Sequence, residues 1–323
     1  LPAILYFTGI FISVHLEAKR LNLSGIPKEK LPKMSHLLKK IYLLLPLVML
    51  VIWVSGNYMT MQKAASYAIV LSIVVSLFDR ENRITPHKVL DALVAGGKST
   101  ITVGVAGIIA GTITMTGLAN DLINAIVGIA GDRLIIALVL TMLCCIVLGM
   151  GVPTTANYCI MAATTAPILI RMGVPIMAAH FFVFYFGIVA DITPPVALAA
   201  YAGSAIAKSK PMKTAFNASK LAIAVFIVPY MFCYTPAMLL IDTTPLRVVQ
   251  IAITAFIGVF AVASALEGYC FARMHMITRI VIAAGGLMLI HPALLTDVIG
   301  IAVVVAILVF NRVVEKKQTA AAA

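Results

Sequence analysis

Residues 149–157 read Gly-Met-Gly-Val-Pro-Thr-Thr-Ala-Asn and lie between two uncharged apolar stretches, Leu134–Leu148 and Tyr158–Ile170. Hydrocarbon offers no partner to a freed backbone N–H or C=O. Each bare group costs roughly several kcal/mol, so a break at this depth persists only where protein, water or a bound ion satisfies it. Gly149 and Gly151 permit close backbone approach and unusual dihedrals. Pro153 helps to end the helix before it. Thr154, Thr155 and Asn157 place side-chain oxygens beside the freed carbonyls. A hard monovalent cation takes such oxygen ligands, as other hard cations do. Unwound helix segments at membrane depth commonly hold substrate and ion in secondary carriers. The alternative is a kinked helix whose Thr and Asn side chains pack against neighbours. A phosphate-binding glycine loop is excluded, since the Gly-Lys-Ser/Thr ending and a preceding strand are missing.

A second break follows at Asp191-Ile192-Thr193-Pro194-Pro195, where two consecutive prolines cannot continue a helix undisturbed. Asp191 is the only acidic residue well inside the apolar run 174–207. An ionisable group in a membrane is costly and is a functional candidate by default. Asp191 and Thr193 could equally cap the helix that starts after the prolines, and the two roles can coexist. Gly149, Thr154, Asn157, Asp191 and Thr193 are the candidate ligands of such a cation, with Gly151, Thr155 and Pro194 completing the candidate site. Thr112, Thr114 and Thr116 are candidates for lining a polar cavity, against a reading of close packing by the glycines around them. His180 stands alone on an apolar segment and reads as a hydrogen-bonded core histidine. His15, His36, His87, His275 and His291 lie in loops, at helix ends or near the interfaces, and assemble no metal or catalytic site. Cys144, Cys145, Cys159, Cys233 and Cys270 fit no disulfide or metal spacing. Asp191 has no partner carboxylate and no Ser/His/Asp set accompanies it, so an intramembrane enzyme is disfavoured.

The elements that must position these residues follow from composition. Of 323 residues, 62% are hydrophobic and 11% charged, against about 25% charged in a soluble domain. The chain is an all-α polytopic membrane protein; its net charge of +12 sits in loops and does not indicate nucleic acid. Apolar segments run approximately 2–14, 41–56, 64–78, 99–119, 134–148, 158–170, 176–190, 196–207, 221–241, 247–271, 277–291 and 298–310. A crossing takes about 20 residues, so 134–170 reads as a re-entrant hairpin and 176–207 as one interrupted helix. Thr85-Pro86 suggests the cap of a short surface helix within 79–98. Placing 15–40 in the cytoplasm puts twenty Lys and Arg inside, including Lys28, Lys30, Lys33, Lys39, Arg80 and Arg83. It leaves only Lys63, Arg133, Arg171 and Arg247 outside, so the C-terminus is also cytoplasmic. No Arg lies within the apolar site region to clamp a carboxylate.

The runs Gly149–Tyr158, His180–Gly187 and Ala190–Tyr201 closely resemble the large membrane subunit of tripartite ATP-independent periplasmic (TRAP) transporters. The fused type, with small and large membrane subunits in one chain, is most similar. The resemblance spans essentially the whole sequence. It implies a sodium-coupled importer of organic acids in a bacterial or archaeal cytoplasmic membrane, with no cofactor beyond sodium. It also implies an elevator mechanism, two inverted repeats, a periplasmic substrate-binding protein, and a small membrane subunit or fused N-terminal region. On this basis 1–40 is the end of a preceding repeat with its cytoplasmic linker. Residues 41–98 are scaffold helices with the surface helix, 99–207 half of the transport domain, and 208–323 C-terminal transmembrane helices. The chain begins with Leu1 in an apolar segment and holds one hairpin and one interrupted helix, so the expectation is the C-terminal part of a longer transporter. The other readings are a structural or assembly subunit of a membrane complex, or another ion-coupled carboxylate carrier.

Overall fold

The computed structural model describes residues 1–23, 25, 31, 34, 38, 40–78, 84–289 and 294–322. Lys28, Lys30, Lys33, Lys39, Arg80, Arg83, His36 and His291 lie outside the described residues. The described chain is helical. Its α-helices are α1 (Pro2–Arg20), α2 (Leu45–Ser55), α3 (Met61–Ser76), α4 (Pro86–Met115), α5 (Leu118–Ala130) and α6 (Leu134–Leu148). They continue with α7 (Thr154–Thr164), α8 (Ala166–Arg171), α9 (Ile176–Val189), α10 (Leu198–Ala207) and α11 (Pro211–Leu221). The last are α12 (Ile223–Tyr234), α13 (Pro245–Glu267), α14 (Met276–Met288) and α15 (Leu294–Ala322). Four described stretches are long and apolar enough to cross a membrane: Pro86–Met115, Pro211–Tyr234, Pro245–Glu267 and Leu295–Lys317. Several shorter apolar helices stand beside them, α6 and α9 among these.

The chain divides into two compact units, Ser24–Ile101 and Leu1–Leu23 with Thr102–Ala323. In the first, α2 and α3 pack together and the Trp53 and Tyr67 rings meet at 6.1 Å. The second carries both breaks. Its core forms around α9, which has no charged residue and buries Ala178, Ala179, Phe182, Val183, Phe186, Gly187 and Val189. Phe182 and Phe186 are one turn apart, with ring centroids 4.7 Å from each other, and Tyr230 of α12 meets them at 5.5 and 6.0 Å. Between helices in lipid, such close contact supplies the cohesion that water exclusion supplies elsewhere. Gly9 lets α1 lie against α12 and α13: a Cβ there would stand 2.3 Å from Ala224 Cβ and 2.8 Å from Val259 Cγ1.

The C-terminal ends of α1, α11 and α13 meet. Lys220 Nζ is 2.7 Å from Glu267 Oε2 and 3.9 Å from Glu17 Oε2, while Arg20 Nη2 is 2.6 Å from Glu17 Oε1. At the start of α14, Arg279 donates to the last carbonyls of α13, Ala265 O at 2.6 Å and Leu266 O at 3.0 Å. Segments that charge bias assigns to one side of the membrane therefore share one end of this unit.

Two elements differ from the sequence expectation. The surface helix within 79–98 and the crossing at 99–119 are one continuous helix, α4; residues 79–83 lie outside the described chain. Gly96-Gly97 does not break it, and it runs on to Met115, just before the left-handed Gly117. Thr85 does stand at its start, with Lys88 N 3.4 Å from Thr85 Oγ1. The helix α5 lies outside the expected apolar segments, because Asn120, Asp121 and Asn124 lower its hydropathy. It buries Ala119, Ile123, Ile126 and Ala130, a 3–4 spacing that marks an amphipathic helix.

Candidate functional site

The first break is short. The helix α6 ends at Leu148 and α7 begins at Thr154, leaving 149–153 to turn the chain, with Gly151 at φ +74° and Pro153 capping α7. The second break spans Ala190–Ile192, a short 3-10 turn, and continues to Ala197 at φ +35°, where α10 starts. Both prolines and a left-handed residue separate α9 from α10.

The two breaks touch. A Cβ placed on Gly149 would lie 2.7 Å from Asn157 Nδ2, 2.9 Å from Ala190 Cβ and 2.9 Å from Cys145 O. One on Gly187 would lie 3.1 Å from Asn157 Nδ2 and 3.3 Å from Met161 Sδ. Asn157 sits between these glycines, 1% exposed, and donates from Nδ2 to Gly187 O at 3.1 Å. Its Oδ1 is buried and has no hydrogen-bond partner among the described residues. Further along, Gly151 approaches Val196 Cγ1, which a Cβ would reach at 4.0 Å.

The ends of two half-helices meet at this contact. Gly149 is the C-cap of α6 and Ala190 the C-cap of α9, so the carbonyl ends of two half-helices abut. Each such end carries roughly half a negative charge. Much of the break backbone is already bonded. Thr193 Oγ1 donates to Val189 O at 2.7 Å, Ser219 Oγ to Ile192 O at 2.9 Å, and Tyr201 OH to Pro195 O. Ala197 N donates to Thr193 O at 3.2 Å, and Asn157 N to Pro153 O at 2.9 Å. Among the described residues, no backbone N–H donates to the carbonyls of Met150, Gly151, Val152, Asp191 or Pro194.

The structure thus brings Gly149 and Asn157 together with Ala190, the neighbour of Asp191. Thr154 is half-buried and Thr155 exposed, both in the first turn of α7. Asp191 and Pro194 are half-buried in the second break. The capping expectation for Asp191 and Thr193 is corrected: the N-cap of α10 is Ala197, without a side-chain cap. Thr193 turns back to the end of α9 instead, because the two prolines place it a full turn before α10 begins. Thr112, Thr114 and Thr116 are exposed and each hydroxyl bonds a carbonyl of its own helix, at 2.8–2.9 Å. Glycines 104, 107 and 111 beside them have no neighbour within 4 Å among the described residues. His180 has the partner expected of a core histidine: its Nδ1 is 3.0 Å from Tyr158 OH, tying α9 to α7.

Three contributors were given no role from the sequence, although Gly187 and Tyr201 close two of the runs that carry the family resemblance. Gly187 accepts from Asn157, Ser219 holds Ile192 O, and Tyr201 holds Pro195 O. Arg171 is committed elsewhere, 2.6 Å from Asn124 Oδ1 of α5. A cleft of about 660 Å³ lined by Pro175, Thr235, Asp242 and Arg247 includes no residue of either break.

The family described as "Tripartite ATP-independent periplasmic transporter, DctM component" matches residues 1–246. No curated protein and no solved structure matches the chain. A chain of apolar helices with two touching helix breaks, matched by that family over most of its length, belongs to the large membrane component of TRAP transporters and is a permease subunit of a secondary transporter.

Proposed function

We propose that the contact between the two breaks holds the coupling ion, and that this permease imports organic acids driven by sodium. The observation that carries the reading is the buried, unpartnered Oδ1 of Asn157 beside the abutting carbonyl ends of α6 and α9. A sodium ion answers each feature: it takes oxygen ligands, its charge opposes two helix C-termini, and it supplies the partner that Oδ1 otherwise lacks. Asn157 and carbonyls of 150–152 form one side of the ligand set. Asp191 and its carbonyl form the other, with Gly149 and Gly151 allowing the approach. Thr154, Thr155, Thr193 and Pro194 shape the rim. The anionic substrate is recognised at the N-terminal ends of α7 and α10, whose positive dipole ends open on the same breaks.

In this reading 134–170 is a re-entrant hairpin and 176–207 an interrupted helix of one inverted repeat, and the repeat moves as part of an elevator. A periplasmic binding protein delivers the acid and a small membrane subunit completes the assembly in the cytoplasmic membrane. The complete transporter in proteoliposomes, with its binding protein added, is the test. Uptake of a carboxylate should follow an inward sodium gradient and stop when potassium or choline replaces sodium. Equal uptake without sodium would overturn the coupling ion.

Orientation follows from the Lys and Arg distribution. Segments 15–40 and 208–220 and the C-terminus face the cytoplasm, in keeping with the shared end at Glu17, Lys220 and Glu267. Single cysteines introduced at Lys213 and Lys317 should resist an impermeant thiol reagent applied from outside. Outside labelling at Lys213 would reject the hairpin topology.

A further inference from the structure

The last turn of α11 carries two consecutive side chains with separate anchors. Ser219 Oγ donates to Ile192 O at 2.9 Å, in the middle of the second break. Lys220 Nζ donates to Glu267 Oε2 at 2.7 Å and lies 3.9 Å from Glu17 Oε2. Glu267 is 1% exposed, whereas the Lys220 side chain is 31% exposed. Lys220 is also the basic residue of the last turn of α11, where it meets the negative end of that helix.

The pairing is uneven in a useful way. Ser219 to Ile192 is a neutral hydrogen bond between a half-buried hydroxyl and a carbonyl in a short 3-10 turn. Alone it fixes little. The Lys220–Glu267 bond is charge-assisted and one partner is fully buried, which makes it the stronger of the two. Neighbouring positions on a helix turn by about 100°, so α11 cannot rotate to release one contact without straining the other. The break is thereby referenced to α1 and α13 through α11.

We propose that Ser219 and Lys220 are positioning residues for the ion site: α11 is a strut that sets the backbone of Ala190–Thr193 from the ionic cluster on α1 and α13. Ile192 lies between Asp191 and Thr193 in the chain, so the placement of its carbonyl sets the second half of the proposed ligand set. Loss of the Lys220–Glu267 bond lets the end of α11 move, Ser219 releases Ile192 O, and the Asp191 carbonyl leaves its position. This inference rests on the ion-site reading, and two readouts separate them.

The first readout is backbone amide exchange across 187–193 in the purified complete transporter. Ser219→Ala and Lys220→Gln should each speed exchange there at least about threefold. The double variant should be no faster than the quicker single, because both act through one contact. Lys220→Arg should stay near wild type. The second readout is the sodium concentration for half-maximal uptake, which should rise severalfold in Ser219→Ala and Lys220→Gln and stay within about twofold in Lys220→Arg. Additive exchange effects, or unchanged exchange in both Ser219→Ala and Lys220→Gln, would overturn the strut. If Lys220→Gln does not fold, Ser219→Ala decides: faster exchange confined to 187–193 supports the strut, and unchanged exchange rejects it. A wild-type transporter indifferent to sodium overturns the ion-site reading alone, and exchange still decides the strut.

Discussion

Gly149→Ala is expected to remove nearly all transport. The backbone of Gly149 is ordinary, at φ −80° and ψ −9°, so alanine suffers no conformational penalty there. The penalty is space. The new methyl would stand 2.7 Å from Asn157 Nδ2, 2.9 Å from Ala190 Cβ and 2.9 Å from Cys145 O, all closer than real contacts allow. Two of these atoms cannot swing away: Cys145 O belongs to the end of α6, and Ala190 Cβ is fixed to the end of α9. Forcing a methyl into a close-packed contact costs about 1–3 kcal/mol, and relief comes only by parting the two breaks. Because that contact is the proposed ion site, a modest loss of stability should accompany a loss of uptake beyond tenfold. Gly151→Ala provides the contrast. No atom stands nearer than 4.0 Å to its Cβ, but φ is +74°, so the cost is a left-handed alanine of about 1–2 kcal/mol. Uptake by Gly151→Ala should fall less than by Gly149→Ala. Initial rates in proteoliposomes at equal amounts of folded protein test the pair, and the reverse order would reject the crowding argument.

Asn157→Ala should act on the ion rather than on the fold. Among the described residues the wild-type side chain has one hydrogen bond, to Gly187 O, and one buried oxygen without a partner. An unpartnered buried polar atom costs about 1–3 kcal/mol, so in the absence of sodium its deletion offsets the loss of the Gly187 bond and of side-chain packing. With sodium present the same deletion removes a ligand. The half-saturating sodium concentration for uptake should then rise about tenfold, equivalent to about 1.4 kcal/mol of ion binding. Asp191→Asn should raise it as well by removing a charge from the other break. Asn157→Asp keeps the oxygen and adds charge, and should retain more sodium affinity than Asn157→Ala. Unchanged sodium dependence in Asn157→Ala and Asp191→Asn would leave backbone carbonyls as the only ligands.

Both breaks were legible in the sequence, because glycine, proline and polar residues inside uncharged apolar runs disrupt a membrane helix at a cost that chance composition does not repay. The interruption after Val189 follows from the proline pair alone. The joining of the breaks was not legible. Asn157 reaches Gly187, thirty positions away, and no spacing rule links two residues on different helices. Thr193 had the composition of a helix cap, but the left-handed Ala197 moves the start of α10 beyond its reach. Thr112, Thr114 and Thr116 were candidates for cavity lining beside a reading of close packing; each hydroxyl bonds the turn before it, a local option always open to threonine. Glu267 was visible as an acid at the edge of the run 247–271, but its importance lies in burial against Lys220, which only packing reveals.

The central claim is that Asn157 at the contact of the two breaks binds sodium, and the most direct measurement is sodium-specific stabilisation of the purified transporter. Ions that bind only the folded state stabilise it by RT ln(1 + [L]/Kd), about 2.7 kcal/mol at a hundred times Kd. Thermal unfolding is followed while sodium replaces choline at constant ionic strength, in wild type and in Asn157→Ala. The account predicts a saturable rise in Tm for wild type, absent with potassium, and in Asn157→Ala a curve shifted to about tenfold higher sodium. Superimposable curves for the two proteins, or no sodium-specific rise in wild type, would contradict it.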